Sequence, residues 1–172
     1  MDREGLYIAP AARHDSGRLH IHVVFTTIEG TIAALRSAAD YAASLGADIT
    51  LLVTEVVYYR YPLETPPVSP AFLQDRCIAV IEEARLDVSA INIEIYFCRR
   101  QMQCLQFRLK PRSIVVIGER KLYWPSRELK LERTLKLLGH DVLLVNAGFS
   151  MFKSHSRSIR HRLAELLAAR TR

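Results

Sequence analysis

Two periods of apolar residues alternate along this chain. LHIHVVFTT, residues 19–27, is β-branched and continuously apolar, which predicts a buried strand. Glu29 and Gly30 then form a break. From Thr31, the expected N-cap, apolar residues recur at Ile32, Leu35, Ala38, Ala39, Ala42 and Leu45, which is the helical period, and Gly46 is the expected stop. DITLLVTEVV, 48–57, predicts a second strand. A loop rich in Tyr and Pro leads to a helix from Pro70 to about Leu86. INIEIYFC, 91–98, alternates as a strand, and QMQCLQFRLK, 101–110, is a short helix closed by Pro111. SIVVIG, 113–118, is another apolar strand. Ser126 caps a helix to Leu138 that ends at Gly139, and DVLLVNA, 141–147, is a fifth strand. A last helix spans roughly Ser158 to Ala169.

This order, βαβαβαβαβ, predicts an α/β fold: a doubly wound five-stranded parallel sheet with helices on both faces and right-handed crossovers. Three parts are expected: an N-terminal lead-in over 1–18, an α/β domain over 19–147, and a basic hinge and helix over 148–172.

Composition narrows the class. With 49% hydrophobic and 24% charged residues, wholesale disorder is excluded. Three cysteines, Cys77, Cys98 and Cys104, make neither a disulfide framework nor a zinc pattern and suit a reducing compartment. No apolar run reaches the roughly 18 residues of a membrane span. Met1 to Leu19 carries Asp2, Glu4 and Asp15 and lacks the apolar core of a secretory signal, so a cytoplasmic location is expected. The net charge of +6 is concentrated: six basic residues and Glu165 give residues 153–172 a charge of +5, leaving +1 from 18 basic and 17 acidic side chains elsewhere. Contact with nucleic acid or anionic membrane therefore rests on the tail.

The chemistry of common α/β sites excludes several classes. The first strand-to-helix turn, Thr26-Thr27-Ile28-Glu29-Gly30, has one glycine, too few for a dinucleotide fingerprint. No Gly-rich loop ends in Lys-Ser/Thr. Thr26 and Thr27, with Cys98 and Arg99, stand where a phospho-receiver needs acids at its strand ends.

TTIEGTIAALRSAADYAASLGADITLLVTEVV resembles the first half of a universal stress protein domain, and RSIVVIGERK with ERTLKLLGHDVLLVN resembles its last half. Ala34-Leu35, Ala38, Ala42 and Leu45-Gly46-Ala47 fall at that family's spacing, and the likeness covers about residues 19 to 147. The resemblance implies strand order 3-2-1-4-5, a homodimer, and, in ATP-binding members, nucleotide at the carboxyl ends of the first and fourth strands. Carried onto this chain, it places a nucleotide against Thr26, Thr27, Val53, Gly118, Arg120 and Lys121. The family's ATP-binding members end the first strand in Asp; here that position is Thr26, which supplies no charge. Their phosphate motif is Gly-x-x-Gly, nine residues, then Gly-Ser/Thr, whose glycines let backbone curl around phosphate. Gly118 fits the first glycine and Lys121 replaces the second; the third falls on Leu131 or Glu128, and the hydroxyl position on Glu132 or Leu129. The expected protein is non-enzymatic, with a degenerate pocket and no resident cofactor, acting as a dimer on an unknown protein partner. The alternative is an ATP or AMP sensor, with slow ATP hydrolysis at most, in which Arg120 and Lys121 meet the phosphates as side-chain cations.

Other candidates read first as ordinary structure. Tyr58, Tyr59 and Tyr61, with Tyr123 and Trp124, are expected to pack over the sheet edge rather than form an aromatic binding surface. His20 and His22 share a strand face but have no third metal ligand. Cys98 and Cys104 flank Arg99 and Arg100, a setting that lowers a thiol pKa, yet are expected to be apolar filler. In the tail, Ile159, Leu163, Leu166 and Leu167 form an apolar stripe with Arg160, His161, Arg162 and Arg170 away from it, expected to dock on the domain or its dimer mate. A recruiter reading of the tail is separable: it requires binding to anionic vesicles or DNA that weakens with salt and vanishes when 153–172 are deleted, and salt-insensitive absence of binding removes it.

Overall fold

The computed structural model describes residues 5–8, 18–120 and 126–148. In chain order the elements are β1 (Gly5–Ile8), β2 (His20–Val24), α1 (Ile28–Leu45), β3 (Asp48–Val56), α2 (Pro70–Glu83), a 3-10 turn (Val88–Ala90), β4 (Ile91–Cys98), α3 (Gln101–Arg108), β5 (Ile114–Glu119), α4 (Arg127–Leu137) and β6 (Asp141–Asn146). The sheet order is β1-β4-β3-β2-β5-β6. The five strands expected from the sequence are β2 to β6; all pair in parallel, in the order 3-2-1-4-5 when numbered among themselves. The fold is therefore the expected doubly wound α/β sheet. A sixth strand lies within the segment read as a lead-in: β1 pairs antiparallel with β4, Gly5 opposite Cys98 and Ile8 opposite Ile95. Four residues are too few for a periodic signal, so the pattern passed over it.

Side-chain alternation splits each strand between two cores. Ile21, Val23, Leu51, Val53, Ile93, Ile95, Phe97 and Val116 pack beneath α1 and α2, against Leu35, Ala38, Leu73 and Ile81. Val24, Leu52, Tyr96, Val115 and Ile117 pack on the opposite face with Leu105 of α3 and Leu131 and Leu135 of α4. Burial on both faces is why these strands read as continuous apolar runs. It also buries two residues of the polar phase of β4: Glu94 and Tyr96 are 7% and 4% exposed. Glu94 is satisfied there by the Tyr96 hydroxyl and by Asn92 Nδ2 at 3.1 Å.

The first helix starts earlier than the sequence suggests. Thr27 is its N-cap, accepting from the Gly30 N–H at 3.1 Å, and Glu29 and Gly30 lie in the first turn. Thr31, the expected cap, is fully buried, and its hydroxyl accepts from the Thr26 N–H at 3.1 Å. Two threonines four residues apart both suit a cap, and the one nearer the strand wins because Gly30, inside the first turn, packs directly against Gly118. At the other end Gly46 takes φ +61°, the left-handed cap that favours glycine. Ser126 caps α4 as expected, accepting from the Leu129 N–H at 3.2 Å. The expected helix over 158–169 lies outside the described residues.

Between α4 and β6, His140 is 8% exposed, and burial pushes its imidazole below the usual 6.5, against an opposing pull from Asp141. The unfolded chain therefore binds a proton that the fold resists. The stability from neutral His140 is complete above the unfolded value and is lost as pH falls through the lower folded value. Urea unfolding between about pH 8 and pH 5 should show a loss of stability that shrinks in His140→Gln; equal losses in both proteins would refute this.

Candidate functional site

In an open parallel sheet, the cleft forms where strand order reverses, at the carboxyl ends of the strands. Here that point lies between β2 and β5, which part toward β3 and β6. A cavity of about 360 Å³ opens beside it, lined by Phe25, Thr26 and Thr27 after β2, by Val53 to Val56 of β3, by Leu73, Arg76 and Cys77 of α2, by Gln101 of α3, and by Arg127, Glu128 and Leu131 of α4. Three of the expected site residues, Thr26, Thr27 and Val53, are among these. Gly118 and Arg120 are not, and Lys121 lies outside the described residues.

Each expected residue has a structural task. Thr26 Oγ1 donates to the Gly118 carbonyl at 2.7 Å, tying the end of β2 to the end of β5 across the switch point. Thr27 caps α1. Val53 is 5% exposed and belongs to the α1–α2 core. Gly118 does not open a cradle for phosphate. A Cβ there would lie 1.7 Å from the Gly30 carbonyl oxygen, and a Cβ on Gly30 would lie 2.6 Å from the Gly118 oxygen. The two glycines let the first turn of α1 press directly against β5, so backbone fills the gap that the phosphate motif leaves open. Arg120 faces Glu29 in that same turn, Nη1 to Oε1 at 3.6 Å, both side chains more than half exposed.

The electrostatics follow from these placements. Helix N-termini attract anions through free N–H groups and the helix dipole. At α1 the cap is Thr27, and Glu29 adds a negative charge to the first turn. At α4, Ser126 caps the helix while its hydroxyl donates to Glu119 Oε1, and Glu128 sits in the first turn. The cavity itself is balanced, with Glu55 and Glu128 against Arg76 and Arg127. Arg76 lies over the Phe25 ring, 5.2 Å from its centre. Gln101 donates to Thr54 Oγ1 at 3.0 Å and closes one wall. Cys77 is no nucleophile: burial pushes its thiol up to about 11, against the pull of Arg76.

Sequence reasoning named Glu128 as a misfit at a glycine position but missed Arg76, Gln101, Arg127 and the Glu119–Ser126 contact. Only the Ser126 cap carried a local signal. The remaining candidates divide. Tyr61 packs against the α1–α2 core, whereas Tyr58 and Tyr59 are 71% and 78% exposed, so the expected packing of the tyrosine loop holds for Tyr61 alone. Tyr123 and Trp124 lie outside the described residues. His20 and His22 stack with ring centres 6.4 Å apart. Among the described residues no three His, Cys, Asp or Glu side chains come together to hold a metal. No helix among them is long and apolar enough to cross a membrane. Compared with known proteins, the chain matches no protein-family model and no curated protein.

The Gly30–Gly118 contact predicts a sharp asymmetry between glycines. Gly118→Ala should cost about 3 kcal/mol or more in urea unfolding, because the methyl meets backbone that has no rotamer to yield. Gly46→Ala, where nothing lies within 4 Å and only the positive φ objects, should cost about 1 kcal/mol. Equal losses at the two positions would show that α1 and β5 have room to separate.

Proposed function

We propose that this chain is a non-enzymatic regulatory domain of the universal stress protein type, acting in the cytoplasm through dimerisation and protein contacts, whose switch-point cleft does not serve ATP. The observation that carries this reading is that carboxylates of the chain itself stand at both helix N-termini around the cleft: Glu29 on α1, and Glu119 with Glu128 on α4. At an effective dielectric of about 20, two unit charges 6 Å apart repel by about 3 kcal/mol. A helix N-terminus at a surface offers an anion roughly 0.3–1 kcal/mol. A carboxylate that close to a bound anion would outweigh the dipole, and Arg120, paired with Glu29 in solvent, adds an exposed ion pair of the kind that contributes about 1 kcal/mol or less. The filled Gly30–Gly118 contact removes the backbone cradle as well.

Dimerisation is assigned to β6. It is a sheet edge whose six residues are all half-buried. Val142 and Leu144 lean on one core and Leu143 and Val145 on the other, so the edge presents backbone hydrogen-bonding groups beside partly covered apolar side chains. One observation favours the second reading, a nucleotide sensor: Thr26, Thr27 and Val53 do line the cavity, so a nucleoside without strongly bound phosphates has a place to enter.

Thermal-shift and calorimetric titration with adenosine, AMP, ADP and ATP, with and without Mg²⁺, separates the readings. The leading one expects no shift at millimolar ligand. Saturation at a hundred times the dissociation constant stabilises by about 2.7 kcal/mol, roughly 5–10 °C for a chain of this length. A shift of that size that disappears in Lys121→Ala would make the protein a nucleotide sensor. Sedimentation should give twice the chain mass at micromolar concentration; a monomer would remove the dimer from the proposal.

A further inference from the structure

Cys98 is the last residue of β4, and only Arg99 and Arg100 separate it from α3. Alternation places Cys98 on the same sheet face as Tyr96, the face that α3 covers. Cys104 lies one turn into α3, its N–H bonded back to the Arg100 carbonyl at 3.2 Å, and packs into the same core as Tyr96 and Leu105. The strand-to-helix turn thus folds the two cysteines together, near enough that each thiol shifts the other's titration. Their exposure differs: Cys98 is 2% exposed, whereas Cys104 is only partly buried. Cys77 packs in the core on the other side of the sheet, so it is no partner for either. The sequence reading of this pair as separate apolar filler accounts for Cys98 alone; it does not explain a second thiol brought onto the first at the surface side.

We propose that Cys98 and Cys104 form a redox-active pair, a modification site at which a hydroperoxide oxidises Cys104 and Cys98 resolves it to an intramolecular disulfide. Supporting chemistry assigns the roles. Interaction with Cys98 holds the Cys104 thiol below its ordinary value against the opposing effect of burial, and the Arg108 guanidinium adds to this; interaction with Cys104 and burial push Cys98 up. Cys104 is therefore the thiol that ionises more readily of the two, and the thiolate is the nucleophile. Its sulfur attacks the terminal peroxide oxygen. An S–O bond forms, the O–O bond breaks, and the leaving oxygen takes a proton to depart as water or alcohol, leaving Cys104 as the sulfenic acid. The Cys98 sulfur then attacks the Cys104 sulfur. The S–S bond forms, the S–O bond breaks, and hydroxide leaves with the Cys98 proton as a second water. Two thiols lose two electrons and one hydroperoxide gains them. A disulfide brings the two sulfurs to ~2.05 Å, so forming it draws Cys104, and with it α3, toward the end of β4. Because α3 also carries Gln101, whose amide closes a wall of the cavity on Thr54, oxidation acts on that wall whether or not the cavity takes a nucleotide.

The test uses the full chain. Purified protein is treated with hydrogen peroxide, its free thiols are alkylated, and tryptic peptides are weighed without reduction. The expected product is one cross-link joining peptide 86–99 to peptide 101–108, with the loss of two hydrogens, in a monomolecular species and reversed by dithiothreitol. Before oxidation, Cys104 should alkylate at least about tenfold faster than Cys77 or Cys98. In Cys98→Ser the sulfenic acid on Cys104 should persist and be captured by a cyclic 1,3-dione; in Cys104→Ser neither remaining cysteine should react at that rate. Three outcomes overturn the proposal: Cys104 driven to sulfinic acid with Cys98 still free, a disulfide between two chains, or no modification at peroxide concentrations that oxidise free cysteine. The wild-type peptide map decides among these without any variant, so a poorly folding serine substitution leaves the result intact.

Discussion

The contact on which the rest of this structure depends is backbone against backbone: the first turn of α1 at Gly30 on the end of β5 at Gly118. It fixes how closely α1 approaches the sheet, and that approach allows the helix to cover β2 and reach β5 with small residues, Ala34, Ala38 and Ala42, buried along its inner side. Because α1 lies so low, its N-cap falls at Thr27, immediately after the strand, and Thr26 is left in a two-residue link with its hydroxyl on the Gly118 carbonyl. One steric requirement therefore sets the cap, the link and the closure of the switch point together. Adding a single methyl at either glycine forces all three to move.

Closure changes what the neighbouring charges do. A helix N-terminus beside an open Gly-rich loop is an anion site. Beside a closed one it still has orphan N–H groups to satisfy, and the chain satisfies them from within. Thr27 and Ser126 supply cap hydroxyls, each worth about 1 kcal/mol, and Glu29, Glu119 and Glu128 supply the negative charge the dipoles favour. These are stabilising arrangements of ordinary size. Their consequence for ligands is larger than their consequence for folding, because a carboxylate already at the helix terminus both occupies the favourable position and repels a second anion.

The sheet was legible because its strands are buried on both faces, and burial leaves continuous apolar runs that length and flanking turns identify. The five parallel strands and four described helices follow from that pattern within a few residues. What escaped was decided by contacts distant in sequence. Thr27 and Thr31 are equally good caps locally, and only the meeting of Gly30 with Gly118, 88 residues away, selects Thr27. Glu94 sits in the polar phase of an alternating strand, and only its Tyr96 and Asn92 donors make its burial possible. In the site, Thr26, Thr27 and Val53 line the cavity: Thr26 and Thr27 follow the end of β2 at the switch point, and Val53 lies within the neighbouring β3. Gly118 was read as a phosphate contact, since a glycine that serves close packing looks the same in one dimension. Arg76 and Gln101 belong to helices whose faces no single-chain period assigns to the cavity.

The cavity itself is therefore weak testimony about ligands. A doubly wound sheet leaves space beside its switch point as a matter of topology, whatever its residues do, so 360 Å³ in that place is expected of the fold. The chemistry of the lining has to carry the inference. Here the lining is neutral in sum, Glu55 and Glu128 against Arg76 and Arg127, with Arg76 held over Phe25 and Gln101 engaged on Thr54. The pocket's position follows from the topology, and neither the balanced lining nor the packed Gly30–Gly118 contact marks it for an anion. That is why selection for function is better sought at the surfaces the fold displays, its β6 edge and the thiol pair at the start of α3, than at the cleft the fold cannot avoid.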